Sequence, residues 1–272
     1  MRKRTVVTTG ASSGIGLATA LELAAAGHRS IATVRSQAKA EIVERAARDR
    51  GVEVETHRLD VRNAGEAKTA MEVLQPDVLV NNAGFALFGA VESVPEEDVQ
   101  ALFETVLFGP VRLARLALPV MRERGWGRVI YMSSLFGRVS APPLGWYASA
   151  KHALEGIADA MRMEVARDGI DVVVIEPGGV RSPMLEAAQR RAEGYESSVY
   201  DESLRRASDG LRLTDFLRAD PRGVARVVVR AVETKRPQAR YLVGYDAQLI
   251  GRMSPVLPTW LSDRVTRFVQ GL

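Results

Sequence analysis

The chain has 272 residues, 46% of them hydrophobic and 26% charged, enough apolar sequence to bury one large α/β core without cross-links. It contains no cysteine, which excludes disulfide and thiolate chemistry. Its formal charge of +4 comes from arginines scattered along the chain rather than gathered into an aromatic-interleaved stripe, which argues against nucleic-acid binding.

A first strand is expected over 5–9, which leaves no room for a conventional secretion signal, and no apolar run reaches the length of a membrane span. A cytoplasmic protein is therefore expected. The strand runs into Gly10-Ala11-Ser12-Ser13-Gly14-Ile15-Gly16 and then an alanine- and leucine-rich helix reaching about Ala26. Strand, glycine turn and helix together make a phosphate site, because the N–H groups of the first helical turn point at the anion. Gly10 permits the tight turn, Gly14 lets backbone approach a pyrophosphate, and Gly16 allows helix and strand to pack closely. The spacing GxxxGxG is neither GxGxxG nor a P-loop, which would end in Gly-Lys-Ser or Gly-Lys-Thr.

Further strands are expected over 28–34, 52–59, 77–80, 128–133, 171–176 and 240–243, and helices near 37–50, 63–74, 96–123, 147–168 and 220–234. Short apolar strands alternating with helices predict a Rossmann-type, doubly wound parallel sheet with helices on both faces. Ligands of such sheets sit beyond the carboxyl ends of the strands, where Gly10, Arg35, Asp60, Asn81, Ser134 and Pro177 fall. In the helix from 147, the spacing of four puts Tyr147 and Lys151 on one face, one turn apart. A neighbouring ammonium favours the phenolate, so the tyrosine pKa is expected to fall towards neutrality. His28, His57 and His152 form no metal constellation, and no metal is expected.

Read together, Thr9 to Gly16, Asp60-Val61, Asn81-Asn82-Ala83-Gly84, Ser134, Tyr147-Ala148-Ser149-Ala150-Lys151 and Pro177-Gly178-Gly179-Val180-Arg181-Ser182 resemble the classical short-chain dehydrogenase/reductase family. The runs Ala32 to Arg35, Phe108-Gly109-Pro110 and Arg240 to Gly244 look most like its hydroxysteroid- and retinol-dehydrogenase-like branch. The resemblance implies hydride transfer between an alcohol or ketone and a nicotinamide cofactor. It gives Tyr147 the proton transfer, Ser134 a hydrogen bond to the reacting oxygen, and Lys151 the nicotinamide ribose. It implies that Gly10, Ser12, Ser13, Gly14, Ile15 and Gly16 line the pyrophosphate and Asp60 and Val61 the adenine. Asn81, Ala83 and Gly84 would take the adenosine side, and Pro177, Gly178, Val180 and Ser182 the nicotinamide.

At the end of the second strand, Ala32-Thr33-Val34-Arg35-Ser36 offers no carboxylate for a ribose 2'-hydroxyl. Arg35 suits a phosphate there, so NADP(H) is expected, with NAD(H) as the alternative. One departure falls at Val106, where the family commonly carries an asparagine that supports a water linked to the lysine. Valine offers only its backbone carbonyl. Residues 183–217, with Met184, Leu185, Tyr195, Tyr200, Leu204, Leu211 and Phe216, are expected to form a helical lid within a catalytic domain of 1–245. With Phe85, Leu87, Phe88, Leu144 and Trp146 they favour a lipophilic ketone or alcohol. Residues 246–272, with a terminal helix over 260–272, are expected to pack on the same domain or on another subunit. The resemblance suggests a homodimer or homotetramer through helices near 100–123 and 147–168. A 3-oxoacyl-thioester reductase and a non-catalytic NADP-binding regulatory protein are the alternatives.

Overall fold

Alternate residues of the central strands go to opposite faces, and each face is apolar. In a computed structural model that describes residues 2–195, 199–213, 218–254 and 257–270, the strands are β1 (Thr5–Thr9), β2 (Arg29–Val34), β3 (Glu55–Arg58), β4 (Val78–Asn81), β5 (Gly127–Met132), β6 (Ile170–Pro177) and β7 (Arg240–Val243). They form one sheet in the order β3-β2-β1-β4-β5-β6-β7, every neighbouring pair parallel. Val7, Leu79, Val129, Tyr131, Val172 and Val174 pack on one side against α3 (Ala64–Leu74), α5 (Gly109–Glu123) and α6 (Gly145–Glu164). Val6, Val78, Val80, Ile130, Val173 and Ile175 face the other side, against α1 (Gly14–Ala25) and α9 (Pro221–Glu233). Helix α2 (Gln37–Arg50) joins that side through Ala40 and Val43, which pack with Ala32 and Val34 of β2. Two buried faces explain why these strands read as continuous apolar runs. The doubly wound parallel sheet is the expected architecture.

Three boundaries differ from the sequence reading for identifiable reasons. β3 begins at Glu55 rather than at 52, because Gly51 takes a left-handed φ of 68° to cap α2 and the Val52 N–H goes back to Ala47 O at 3.0 Å. The expected helix over 96–123 is α4 (Glu96–Phe103), a π-helical turn at Glu104–Phe108, and α5. Pro110 has no N–H, so the Val106 carbonyl loses its α-helical donor and the ladder must rearrange at that turn. The helix carrying Tyr147 starts at Gly145, and 166–168 is a separate 3-10 turn that ends at Gly169, φ 73°.

The segment after β6 forms α7 (Pro183–Ala192) and α8 (Asp201–Leu213), and the chain after β7 forms α10 (Tyr245–Met253) and α11 (Thr259–Gln270). Phe216 of the expected lid, and Pro255, Val256 and Leu272 of the C-terminal segment, lie outside the described residues, as do the side chains of Leu211, Val265, Phe268 and Val269. No described helix is long and apolar enough to cross a membrane.

Candidate active site

The glycine turn is shaped by two residues that the sequence reading did not assign. Thr9, the last residue of β1, is fully buried, and its hydroxyl accepts the N–H groups of Asn82 and Ala83, each at 3.0 Å. The Asn82 amide donates to Thr9 O at 2.9 Å and to Gly10 O at 3.3 Å. These bonds tie the end of β1 to the end of β4 and fix the carbonyl of Gly10. Gly10 has a φ of 65°, and a Cβ there would sit 2.7 Å from the Cα of Ala83. Gly16 lets the first turn of α1 close on the residues that follow β1 and β4: a Cβ there would meet the Asn82 amide and the Gly10 carbonyl. Ser13 opens α1 with extended backbone, no side-chain cap and no acidic residue in the first turn, so the electropositive end of the helix faces outward from Gly14, Ile15 and Gly16.

Along the carboxyl edge, the ends of β2 and β3 are joined by the Leu59 N–H to Val34 O at 2.8 Å, which brings Arg35 and Asp60 together. The Asp60 carboxylate accepts from Arg62 at 2.7 and 3.1 Å, and that bond holds its pKa below the usual value, with a smaller contribution from Arg35. Arg35 is exposed, and Val61 is buried beside Asp60. Asn81 ends β4, is 2% exposed, and has neither amide atom hydrogen-bonded among the described residues. A buried, unpartnered amide is costly, and one at the carboxyl edge of the sheet is suited to a polar ligand. Asn81, the outward end of α1 and the cation at Arg35 together fit a phosphorylated dinucleotide. Ala83 and Gly84 follow, half-buried.

Tyr147, Ser134 and Lys151 converge although they come from different elements. Ser134 leaves β5 and caps the short turn Leu135–Gly137, its hydroxyl accepting the Phe136 N–H at 3.2 Å. It also hydrogen-bonds Tyr147. Lys151 lies one helical turn beyond, its Nζ 5.6 Å from the Tyr147 ring centroid and 2.7 Å from Met132 O. All three are buried. The expectation that the lysine lowers the tyrosine pKa is reversed here: burial pushes the phenol up to about 12, and only the Ser134 bond pulls the other way. Burial also brings Lys151 down to about 8, with Glu155 opposing. The ammonium is directed at a carbonyl of β5 rather than at the phenol oxygen, so desolvation dominates.

Val106 is 1% exposed and packs with Leu102, Leu144, Tyr147 and Phe88. That apolar cluster continues through Phe85, Leu87 and Trp146 to Leu185, Tyr195 and Leu204 of the segment after β6. Tyr195 donates to Asp98 of α4 at 2.7 Å, Arg191 pairs with Asp98 at 3.5 Å, and the Arg191 guanidinium lies 5.4 Å from the Phe85 ring centre. Leu185, Tyr195 and Leu204 of the expected lid therefore share one apolar wall with the expected cleft residues, latched to α4 by polar bonds at its rim, whereas Met184 is exposed and Tyr200 lies outside the cluster. On the opposite side, Val180 bridges to Ala219, and Ser182 opens α7 half-buried. Pro177 ends β6, and the next turn is held by Asp246 of α10, which accepts the Gly179 N–H at 2.6 Å. A side chain at Gly178 would collide with that carboxylate. Asp246 comes from the C-terminal segment, for which the sequence reading expected packing on the same domain or another subunit but assigned no site residue. No group of three or more potential ligands for a metal occurs among the described residues.

The family model described as short chain dehydrogenase matches residues 4–193. A 3-ketodihydrosphingosine reductase of Bacteroides thetaiotaomicron is 30% identical over 98% of this chain and 97% of its own length. The crystal structure of a short-chain dehydrogenase from Streptomyces avermitilis superposes with a TM-score of 0.80 at 33% identity, over 97% of this chain and 98% of that one. A single-site variant of actinorhodin polyketide ketoreductase with NADPH superposes at 0.76 and 28% identity, over 88% and 95%. Reductases of such different names do not single out the hydroxysteroid and retinol branch.

Proposed function

The chain belongs to the short chain dehydrogenase family and is an NAD(P)-dependent oxidoreductase acting between carbonyls and alcohols; from that premise we propose that it reduces a lipophilic ketone to a secondary alcohol with NADPH, Tyr147 supplying the proton. The observation that carries this reading is the burial of Tyr147, Ser134 and Lys151 in one contact, at the foot of an apolar wall. When bound, the cofactor supplies hydride to the carbonyl carbon.

The residues of this chain handle the oxygen. A phenol with a pKa of about 12 stays protonated throughout the neutral range, so Tyr147 starts in the proton-donating state that reduction requires. Ser134 keeps a donor beside the same oxygen and favours the charge that develops there. Lys151 holds a positive charge behind the phenol, so that the phenolate left after proton transfer is not a lone buried anion. Gly10, Ser12, Ser13, Gly14, Ile15 and Gly16 would hold the diphosphate, and Arg35 the 2'-phosphate that distinguishes NADP(H). Asp60, Val61, Asn81, Ala83 and Gly84 would line the adenosine. Pro177, Gly178, Val180 and Ser182 would line the nicotinamide, with Tyr147 and Lys151 at its ribose.

The wall of Phe85, Leu87, Phe88, Leu144, Trp146 and Leu185 offers apolar contacts and few polar partners, which supports a long-chain or polycyclic carbonyl rather than a sugar. The relative named 3-ketodihydrosphingosine reductase supports a lipid-derived ketone within that class. Exposed Phe108, Ile157 and Met163 on the π turn and α6 support self-association through these helices.

The test is the initial rate of NADPH and NADH oxidation with steroid, retinoid, aromatic, long-chain amino-ketone and acyl-thioester carbonyls. A class-selective NADPH rate that falls by a factor of about 10²–10⁴ in Tyr147→Phe is expected. Turnover unchanged in that variant would remove the tyrosine from the reaction.

A further inference from the structure

Behind Lys151, on the side away from Tyr147, lies a buried group of charges that the reaction outlined above does not use. Glu176 of β6 is fully buried, and its Oε1 accepts from Arg138 Nε at 2.9 Å and lies 3.2 Å from Arg240 Nε. Arg240 of β7 reaches across to α6, donating to Glu155 Oε2 at 2.8 Å and to both oxygens of Asp159 at 2.7 and 2.8 Å. Asp159 also accepts from Arg162 at 3.2 Å. Within this group Glu155 Oε1, Glu176 Oε2, Arg162 Nε and the neighbouring Ser133 Oγ have no hydrogen-bond partner among the described residues. A Cβ on Gly137 would sit 2.6 Å from Ser133 Oγ and 3.1 Å from Glu155 Oε1, so the bare glycine lets that carboxylate oxygen close on the end of β5. Ser133 directly follows Met132, whose carbonyl accepts the Lys151 ammonium. Glu155 lies four residues after Lys151 on α6, on the same face and one turn away.

We propose that Glu155 is a positioning residue for the proton chemistry: anchored by Arg240 through one oxygen and set one turn from Lys151 on the same buried face of α6, it keeps the lysine charged. This rests on the assignment of Tyr147 and Lys151 under the proposed function. The physical need is plain, since a buried ammonium with one carbonyl partner tends to lose its proton, and only an opposite charge close by prevents it. Glu155 is the one carboxylate that raises the Lys151 pKa against burial. The other charged groups packed around α6 are already engaged: Glu176 with Arg138 and Arg240, Asp159 with Arg162 and Arg240, and Glu104 of the π turn with Arg112. Val106, on the same turn, brings no charge or side-chain hydrogen bond. Arg240 shares its fork among three carboxylates, which leaves Glu155 incompletely neutralised and available to the lysine.

Lys151 is one of five lysines in the chain, so its protonation can be read directly. The experiment is an NMR titration of cofactor-free protein labelled with ¹³Cε-lysine, the Lys151 signal being assigned by its loss in Lys151→Arg. The wild-type signal is expected to titrate at about 8. In Glu155→Gln the midpoint is expected to fall by about one unit or more. Glu155→Asp, which retains an anion for Arg240, shifts it in the same direction by less and serves where the glutamine variant does not fold. The alkaline limb of kcat for ketone reduction is expected to follow the same midpoints. A wild-type midpoint in both variants would overturn the proposal. Turnover that survives Tyr147→Phe would instead overturn the underlying assignment, and the titration would still decide whether Glu155 sets the lysine charge.

Discussion

Gly16→Ala tests whether the glycine turn is built as described. The added methyl would lie 2.5 Å from the Gly10 carbonyl oxygen and closer still to the Asn82 amide nitrogen. A carbon and a carbonyl oxygen need roughly 3.3 Å or more, so the amide must leave or the turn must open. If Asn82 leaves, its bonds to Thr9 O at 2.9 Å and Gly10 O at 3.3 Å are lost. Overpacking costs about 1–3 kcal/mol and each of the two lost hydrogen bonds about 1, so a loss of about 3–5 kcal/mol is expected. The displaced Gly10 carbonyl also deforms the diphosphate cradle, so NADPH affinity is expected to weaken by an order of magnitude or more. Gly223→Ala is the control: nothing lies within 4 Å of its Cβ position in α9, and it is expected to stabilise by about 0.5–1 kcal/mol. Urea denaturation and NADPH fluorescence titration measure both quantities. A Gly16→Ala protein with the wild-type midpoint and Kd would refute the packing argument.

Two further predictions concern charge. Arg35→Ala is expected to weaken NADPH binding by about 1.5–3 kcal/mol, roughly tenfold to a hundredfold, and to leave NADH binding nearly unchanged. Parallel titrations with the two cofactors measure the difference, and equal losses for both would remove Arg35 from phosphate recognition. Burial brings the Lys151 pKa down to about 8 in the folded protein, against 10.5 for the free group. Between those values the unfolded chain holds a proton that the native state has lost, so this group makes stability rise with pH across the window. The rise from Lys151 alone is about 3 kcal/mol as an order of magnitude. Tyr147 acts in the opposite sense above pH 10, because its folded pKa of about 12 exceeds the free value of 10.0. Wild type minus Lys151→Met, measured by urea unfolding from pH 7.5 to 10, is expected to grow with pH, and a flat difference would contradict the assigned burial.

The sheet was legible because its strands are buried on both faces and carry their own punctuation. Alternate residues such as Val6 and Val7, or Val173 and Val174, serve opposite cores, which is why each strand is apolar without interruption. The three chemical residues were legible because they are fixed by short spacings: four positions from Tyr147 to Lys151, and a strand end at Ser134. The π turn was in principle readable too. Pro110 removes the N–H that the Val106 carbonyl would use, and a helix carried through 96–123 ignored that missing donor.

Other features were not readable, because they depend on what the chain brings together across space. Asp246 meets Gly179 across 67 positions of sequence, and Arg240 meets Glu155 across 85. The sign of the Tyr147 shift belongs to the same class. From spacing alone, an ammonium one turn away should lower a phenol pKa, and the charge is there. The direction is nevertheless set by how completely the site is desolvated and by where the ammonium points, and both follow from packing that no local pattern encodes. The same desolvation acts on both groups: it keeps the phenol protonated and loosens the proton on the lysine. A pair of ionisable groups buried this deeply needs a counter-charge, and the carboxylate one turn beyond the lysine on α6 is fixed in place by Arg240 of β7.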